Sequence, residues 1–283
     1  MYKEINDAIK SLYEKKGTKI LGGLALILFL LESKFNLRRR NSSRIERFIK
    51  NGEIAATAAI GLRYVLLPAM VWASFQSETG RKGLVYYLPL HTIFKNVIGF
   101  LLVDYGNYLW HRLSHKSGIL WRFHQVHHSD LDLDLSTAFR FHIGEIIPSA
   151  IFRAAVVRLV GLNWRGVLVY EIAFEAANSF HHSNLKLPGS VAKRLSAIIV
   201  TPPMHGIHHS IIREEADSNF SVIFSLWDRL HQTLKLDIPQ EEINIGLPAF
   251  RDEKELNWYN LMLMPISGQR QWELPDGAVP VRS

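Results

Sequence analysis

Eight histidines packed into three short boxes constrain this chain more than any other feature: His111 and His115 in HRLSH, His124, His127 and His128 in HQVHH, and His205, His208 and His209 in HGIHH. Residues three and four apart on a helix are surface neighbours, roughly 5 to 6 Å apart at Cβ, so each box can present its ring nitrogens from one helical face. Imidazole is the commonest protein metal ligand, and nitrogen-rich sites suit iron, copper, nickel or zinc. One ion takes about four to six ligands, so eight imidazoles predict two metals side by side. A fold that obeys the pattern must bring separate helical segments to one volume.

A single HxxxH or HxxH is weak evidence, since such pairs commonly serve as core polar groups or solvated faces. Two HxxHH copies some 80 residues apart, with an HxxxH just upstream of the first, change the balance. His142, His181 and His182 lie in sequence between the second and third boxes, whereas His91 and His231 stand alone and read as structural or surface residues.

The 283 residues contain no cysteine, which excludes disulfides, thiolate zinc sites, cysteine-ligated iron-sulfur clusters and cysteine nucleophiles. Net charge is +7, and the basic residues concentrate in residues 34–50, where Lys34, Arg38, Arg39, Arg40, Arg44, Arg47 and Lys50 face one acid, Glu46. The flanks of that run are apolar. Residues 54–75 carry Arg63 as their only charge and meet the ~20-residue length of a bilayer-spanning helix, while residues 20–31 are apolar but short. Residues 84–110 form a third candidate, interrupted by Pro89, His91, Lys95 and Asp104, and residues 146–180 a hairpin whose two arms, each ~22 Å long, meet at Gly161 to Trp164 and dip into the bilayer without crossing it. Its charges, Arg153, Arg158, Arg165, Glu171 and Glu175, have to pair, face protein or reach the interface. Nothing before residue 20 reads as a signal peptide.

The positive-inside rule makes the 34–50 segment cytoplasmic. The helix over 54–75 then leads out, the one over 84–110 leads back, and the hairpin returns to its own side, so all histidine boxes share one face. The expected fold is all-α: an integral membrane helical bundle with a cytoplasmic, histidine-rich di-metal helical cap. Residues 1–83 read as membrane-anchoring helices and a basic loop, 84–250 as the catalytic unit, and 251–283 as a C-terminal tail.

The strings DYGNYLWHRLSH, LWRFHQVHHSD, STAFRFH, FHHSNLKLP, TPPMHGIHHS and SNFSVIFSLWDRLH resemble the fatty acid hydroxylase, or sterol desaturase, superfamily over roughly residues 84–250. The resemblance implies a membrane-bound non-haem di-iron oxidoreductase that uses O2 and two electrons to hydroxylate or desaturate a lipid. Carried over residue by residue, it makes His111, His115, His124, His127, His128, His205, His208 and His209 metal ligands. It favours His182 over His181 as a ninth, with Asn178, four residues before it, a weak amide-oxygen candidate. His142 is placed as a ligand or as a donor that orients one. Asp104 and Glu145 are candidate carboxylate partners for ligand imidazoles, since metal-bound histidines usually donate their second ring nitrogen to such a group. The electron donor, cytochrome b5-like or ferredoxin-like, would be a separate chain; the basic segment would serve as topology determinant, or dock that donor or anionic lipid. The implied location is a bacterial inner membrane, and nucleic acid is not an implied partner.

Two other readings compete. A membrane zinc hydrolase lacks support because no Glu lies inside any box, unlike the HExxH of zinc proteases. A non-catalytic metal or haem protein fits poorly because haem takes one or two axial ligands rather than packed triplets.

Overall fold

The computed structural model describes residues 2–282, so Met1 and Ser283, the ends of the two expected outer segments, lie outside the described residues. The chain is helical, with no strand among the described residues beyond three isolated bridges. Helix α1 (Tyr2–Ala8) passes through a π-helical stretch, Ile9–Gly17, into α2 (Thr18–Lys34). After the basic loop, α3 (Arg44–Gly61) runs through a second π-helical stretch, Leu62–Leu66, into α4 (Leu67–Gly80). Pro68, at the start of α4, explains this second irregularity: it has no N–H to give and its ring crowds the preceding turn, which the wider π turn accommodates. The order continues with α5 (Thr92–Lys116), α6 (Gly118–His128), α7 (Ile143–Val160), α8 (Trp164–His182), α9 (Gly189–Ser196) and α10 (Pro202–His208), followed by short helices and loops.

One helix among the described residues is long and apolar enough to cross a membrane; it lies within Arg44–Tyr87, with mean hydropathy 1.7 over its most apolar window, and contains the expected 54–75 span. The expected span over 84–110 is corrected. Residues Leu84–Tyr87 form a 3-10 turn, Pro89 interrupts, and α5 begins only at Thr92, where the His91 ring accepts the Ile93 N–H. Helix α2 has 17 residues, ~26 Å at 1.5 Å each, short of the ~30 Å hydrocarbon core. Exposed apolar side chains nonetheless stud several helices, among them Ile20, Leu26 and Leu30 of α2, Ile60 of α3 and Ile151 and Leu159 of α7.

The α4–α5 and α7–α8 turns meet backbone to backbone. Gly83 (φ 126°) and Gly161 (φ 85°) both occupy the left-handed half of backbone space, and a Cβ on Gly83 would lie 2.5 Å from the Gly161 Cα. Only glycine permits both the angles and the approach. Helices α4 and α7 then pack along their length through Leu67, Met70, Val71, Ala150 and Val157, all buried in the largest apolar cluster. Among the charges of the α7–α8 hairpin, Arg153 pairs with Glu171, and Arg158 reaches Ser77 and the Lys82 carbonyl.

The basic segment turns inward. Residues 130–134 read Asp-Leu-Asp-Leu-Asp and bend as they leave α6, with the acids turned to the basic segment and the leucines to apolar clusters. Leu131 and Leu133 enter two apolar clusters, while Asp130 and Asp134 grip the Arg47 guanidinium, and Asp132 accepts the Asn41 and Ser42 N–H groups. Arg44 pairs with buried Glu32 at 2.6 Å, and Arg38 donates to Gln240 and to the Pro202 carbonyl. The run is therefore largely a clamp between the N-terminal helices and the histidine region, with Arg39 left exposed.

Arg47 and Asp130 are each 5% exposed. Removing one member of a buried pair strands the other charge, so Arg47→Ala is expected to destabilise the protein by about 3 to 5 kcal/mol. Thermal unfolding in detergent checks this, with Arg39→Ala expected to leave the midpoint unchanged.

Candidate metal centre

Four helices end at one place. The boxes occupy the last turns of α5 (His111, His115), α6 (His124, His127, His128), α8 (His181, His182) and α10 (His205, His208, with His209 as its cap). A helix C-terminus carries about half a negative charge from its unpaired carbonyls, so four converging ends favour a cation.

The rings sort into two groups, His111, His115, His124, His128 and His208, and His127, His182, His205 and His209, with the donor atoms of each group all within 4.8 Å of one another. Each HxxHH box feeds both. On α6 the i,i+4 pair His124 and His128 joins the first group and His127 the second; on α10 the i,i+4 pair His205 and His209 joins the second and His208 the first. The groups abut, with the His128 and His209 rings 4.3 Å apart.

Proton placement aims these rings. Carbonyl and carboxylate oxygens only accept, so the Nδ1 of His111, His208, His181 and His182 must donate to the carbonyls of Phe220 (2.8 Å), Ser218 (2.7 Å), Val222 (3.1 Å) and Asn178 (2.8 Å), and His124 Nδ1 to Glu145 Oε1 (3.0 Å). Their Nε2 atoms are left as bare lone pairs. The Nε2 of His182 faces those of His127 and His205 at 3.0 and 2.9 Å, although it has no proton to give them. Buried nitrogens without any partner remain on His124, His127, His205, His208 and His209. Lone pairs pointed at one another in a buried space are costly unless something positive lies between them. The donor set fits two nitrogen-bound metal ions. Burial first, and neighbouring imidazoles second, hold His115, His127, His128, His205, His208 and His209 well below their ordinary 6.5, in the neutral form a metal ligand needs.

Three of the accepting carbonyls come from one segment, Ser218, Phe220 and Val222. The chain turns at Asn219, whose φ is 53°, and presents these carbonyls to His208, His111 and His181, so the stretch acts as a rack. Asp228 holds the rack by accepting the Phe220 and Ser221 N–H groups at 2.8 and 3.0 Å. Asp228 is among the acids that the sequence places near the boxes, but the rack it holds has no sequence signal, because any residue offers a backbone carbonyl.

Of the expected carboxylate partners, the structure places Glu145 on His124. Asp104 touches no histidine: it sits two turns before His111 on α5, and its carboxylate accepts from Trp227 Nε1 (2.7 Å), Tyr170 and the Phe224 N–H at the end of the rack. His142 lies outside both groups, with both nitrogens engaged, Nδ1 accepting the Gly144 N–H and Nε2 donating to the Met262 carbonyl. Asn178 donates its amide to the Ala138 carbonyl and orients His182 through its own backbone. His181 stays outside the two groups although its ring stands 4.1 Å from that of His205. His91 caps α5 and His231 meets the Tyr105 hydroxyl.

A cavity of about 490 Å³ opens onto the rings of His111, His124, His127, His182 and His205. From there it runs between α2, α3, α7 and α8, walled mostly by apolar side chains such as Leu21, Ala58, Leu62, Phe141 and Phe174. Trp121, 5.1 Å from the His115 ring, and Trp272 beside it flank the site elsewhere.

Two outcomes are expected. Asp228→Ala frees the rack and should weaken metal binding roughly 10- to 100-fold, read by competition with a chelator. Because the folded histidines stay neutral while unfolded ones protonate near 6.5, the metal-free protein should lose stability as pH falls below 6.5, by about 1.4 kcal/mol per pH unit for each such histidine. The thermal midpoint between pH 7.5 and 5 tests this, and replacing His205 and His209 by Gln should flatten the slope.

A family model described as fatty acid hydroxylase matches residues 96–233, which include all three boxes and the rack. The chain is 26% identical over 242 residues to human alkylglycerol monooxygenase, covering 83% of this chain and 50% of that protein. It is 31% identical over 189 residues to the Danio rerio alkylglycerol monooxygenase (66% and 40%), and 28% identical over 159 residues to the ornithine lipid hydroxylase OlsE of Rhizobium tropici (54% and 46%). The chain thus spans about half the length, or less, of these curated relatives. No solved structure matches it. Residues 96–233 thus match the fatty acid hydroxylase family, and the curated relatives named above fall in the fatty acid hydroxylase/sterol desaturase superfamily.

Proposed function

We propose that this chain is an O2-dependent lipid hydroxylase whose two histidine groups each hold one iron ion. The observation that carries the reading is the opening of two abutting groups of neutral imidazoles directly onto an apolar cavity. His111, His115, His124, His128 and His208 would hold one ion and His127, His182, His205 and His209 the other. Bound there, the irons would supply the activation of O2 that insertion of oxygen into an unactivated C–H bond needs. The protein's own part is placement and exclusion. Glu145, the Phe220 and Ser218 carbonyls and the Asn178 carbonyl keep the protons of His124, His111, His208 and His182 on the far side of their rings, and Phe141 and Phe174 help line a cavity that admits an alkyl chain and disfavours water. Hydroxylation is preferred to desaturation because the relatives named above are a monooxygenase and a lipid hydroxylase.

In this reading residues 84–250 are the catalytic unit, 1–83 the membrane-anchoring part with its inward clamp, and 251–283 a tail. The exposed apolar faces of α2, α3 and α7 lie in lipid, the histidine end faces the cytoplasm, and a separate donor chain delivers electrons. Its docking would not use Arg38, Arg44 or Arg47, which are engaged internally.

Metal analysis of detergent-purified protein tests the reading. About two irons per chain, reduced in His128→Ala, together with hydroxylated lipid formed only with reductant and O2, is the expected result. Zinc that persists after anaerobic iron loading, with no O2 consumed on reduction, would overturn it.

A further inference from the structure

The same cavity contains charges that the metal centre does not use. Along α8, Glu171, Glu175, Asn178 and His182 follow one another at spacings of four, three and four, a single stripe on one helix face. His182 belongs to the second histidine group, and Glu175 sits two turns back, ~10 Å along the axis. Across from α8, Arg153 of α7 pairs with Glu171; the two residues are 5% and 0% exposed. Arg153 and Glu175 both line the cavity, with the Tyr13 ring beside them.

The cluster is incomplete in three ways. Glu175 makes no hydrogen bond and no ion pair within 4 Å. One oxygen of Glu171, Oε2, and the Arg153 Nε are buried without partners. In formal charge two carboxylates oppose one guanidinium. Arg153 and Glu175 thus bring an open donor and open acceptors to a cavity whose lining is mostly apolar. Buried polar groups are nearly always satisfied, so an occupant is the natural completion.

We infer that Arg153 and Glu175, with Glu171 behind them paired to Arg153, form a subsite for the hydroxyl-bearing polar end of an uncharged lipid. A hydroxyl donates to an open carboxylate oxygen and accepts from the guanidinium, and so meets both kinds of vacancy; a carboxylate or phosphate brings only acceptors and like charge. A ligand held there presents its alkyl chain, not its polar end, to the histidines. The inference rests on the cavity being the lipid site proposed above, and it selects among lipids by the chemistry of the head.

The test is equilibrium binding of radiolabelled hexadecane-1,2-diol to the full-length protein in detergent, without reductant, with unlabelled diol, palmitate and hexadecylamine as competitors. The diol is expected to compete at least tenfold better than palmitate. Glu175→Ala should weaken diol binding roughly tenfold or more and abolish the preference, at unchanged metal content. Glu175→Gln, which keeps the shape and one acceptor, should retain part of the preference and serves if the alanine variant does not fold. Equal competition by diol and palmitate, stronger competition by hexadecylamine, or wild-type selectivity in both variants would overturn the subsite alone. No saturable binding of any probe would overturn the lipid cavity with it, whereas loss of the iron reading by metal analysis would leave a measured head-group preference standing.

Discussion

Nine imidazoles turn ring nitrogens toward two small volumes, and the rest of the molecule is arranged to make that tolerable. Each ring has to be stripped of water, kept unprotonated and prevented from rotating, and like-polarity nitrogens only about 3 Å apart resist all three. Four helix ends bring negative partial charge to the same region, which favours the positive occupant the rings require. Carbonyls and Glu145 take the protons on the outer side. Even the remote clamp of Arg47 on Asp130 and Asp134 serves this, because those acids directly follow the His127–His128 end of α6.

How much of this could be read from the sequence depends on whether a residue's identity or only its backbone does the job. The three boxes and their division between helices rest on side-chain chemistry at helical spacing, the choice of His182 rests on the family resemblance, and Glu145 was expected to meet a ligand imidazole without its being clear which; the two groups contain these histidines, and Glu145 meets His124. The rack was invisible because any residue offers a carbonyl. Asp104 misled for a related reason: it shares a helix face with His111, seven residues on, but seven residues are ~10 Å, and the nearer Trp227 and Tyr170 claim its carboxylate.

The membrane reading divides the same way. A long apolar stretch over residues 54–75 is a composition signal, and a single rod forms there. The 84–110 stretch has comparable composition at first glance, yet Pro89 and the 3-10 turn before it show that local backbone chemistry overrides average hydropathy. The basic run carried a different ambiguity. Positive charge beside an apolar segment reads as a topology signal, but the Asp-Leu-Asp-Leu-Asp alternation downstream supplies buried carboxylates in register to receive it, and that complement lies some 90 residues away in sequence.

The interleaving of the two HxxHH boxes has a consequence for how the centre assembles. Since α6 and α10 each contribute rings to both groups, an ion entering either one fixes the ends of both helices and thereby orders part of the ligand set of the other. The ordering entropy is met largely at the first event, so uptake of the two ions should be cooperative, with a singly loaded chain a minor species. A site built this way would pass between empty and full with little in between.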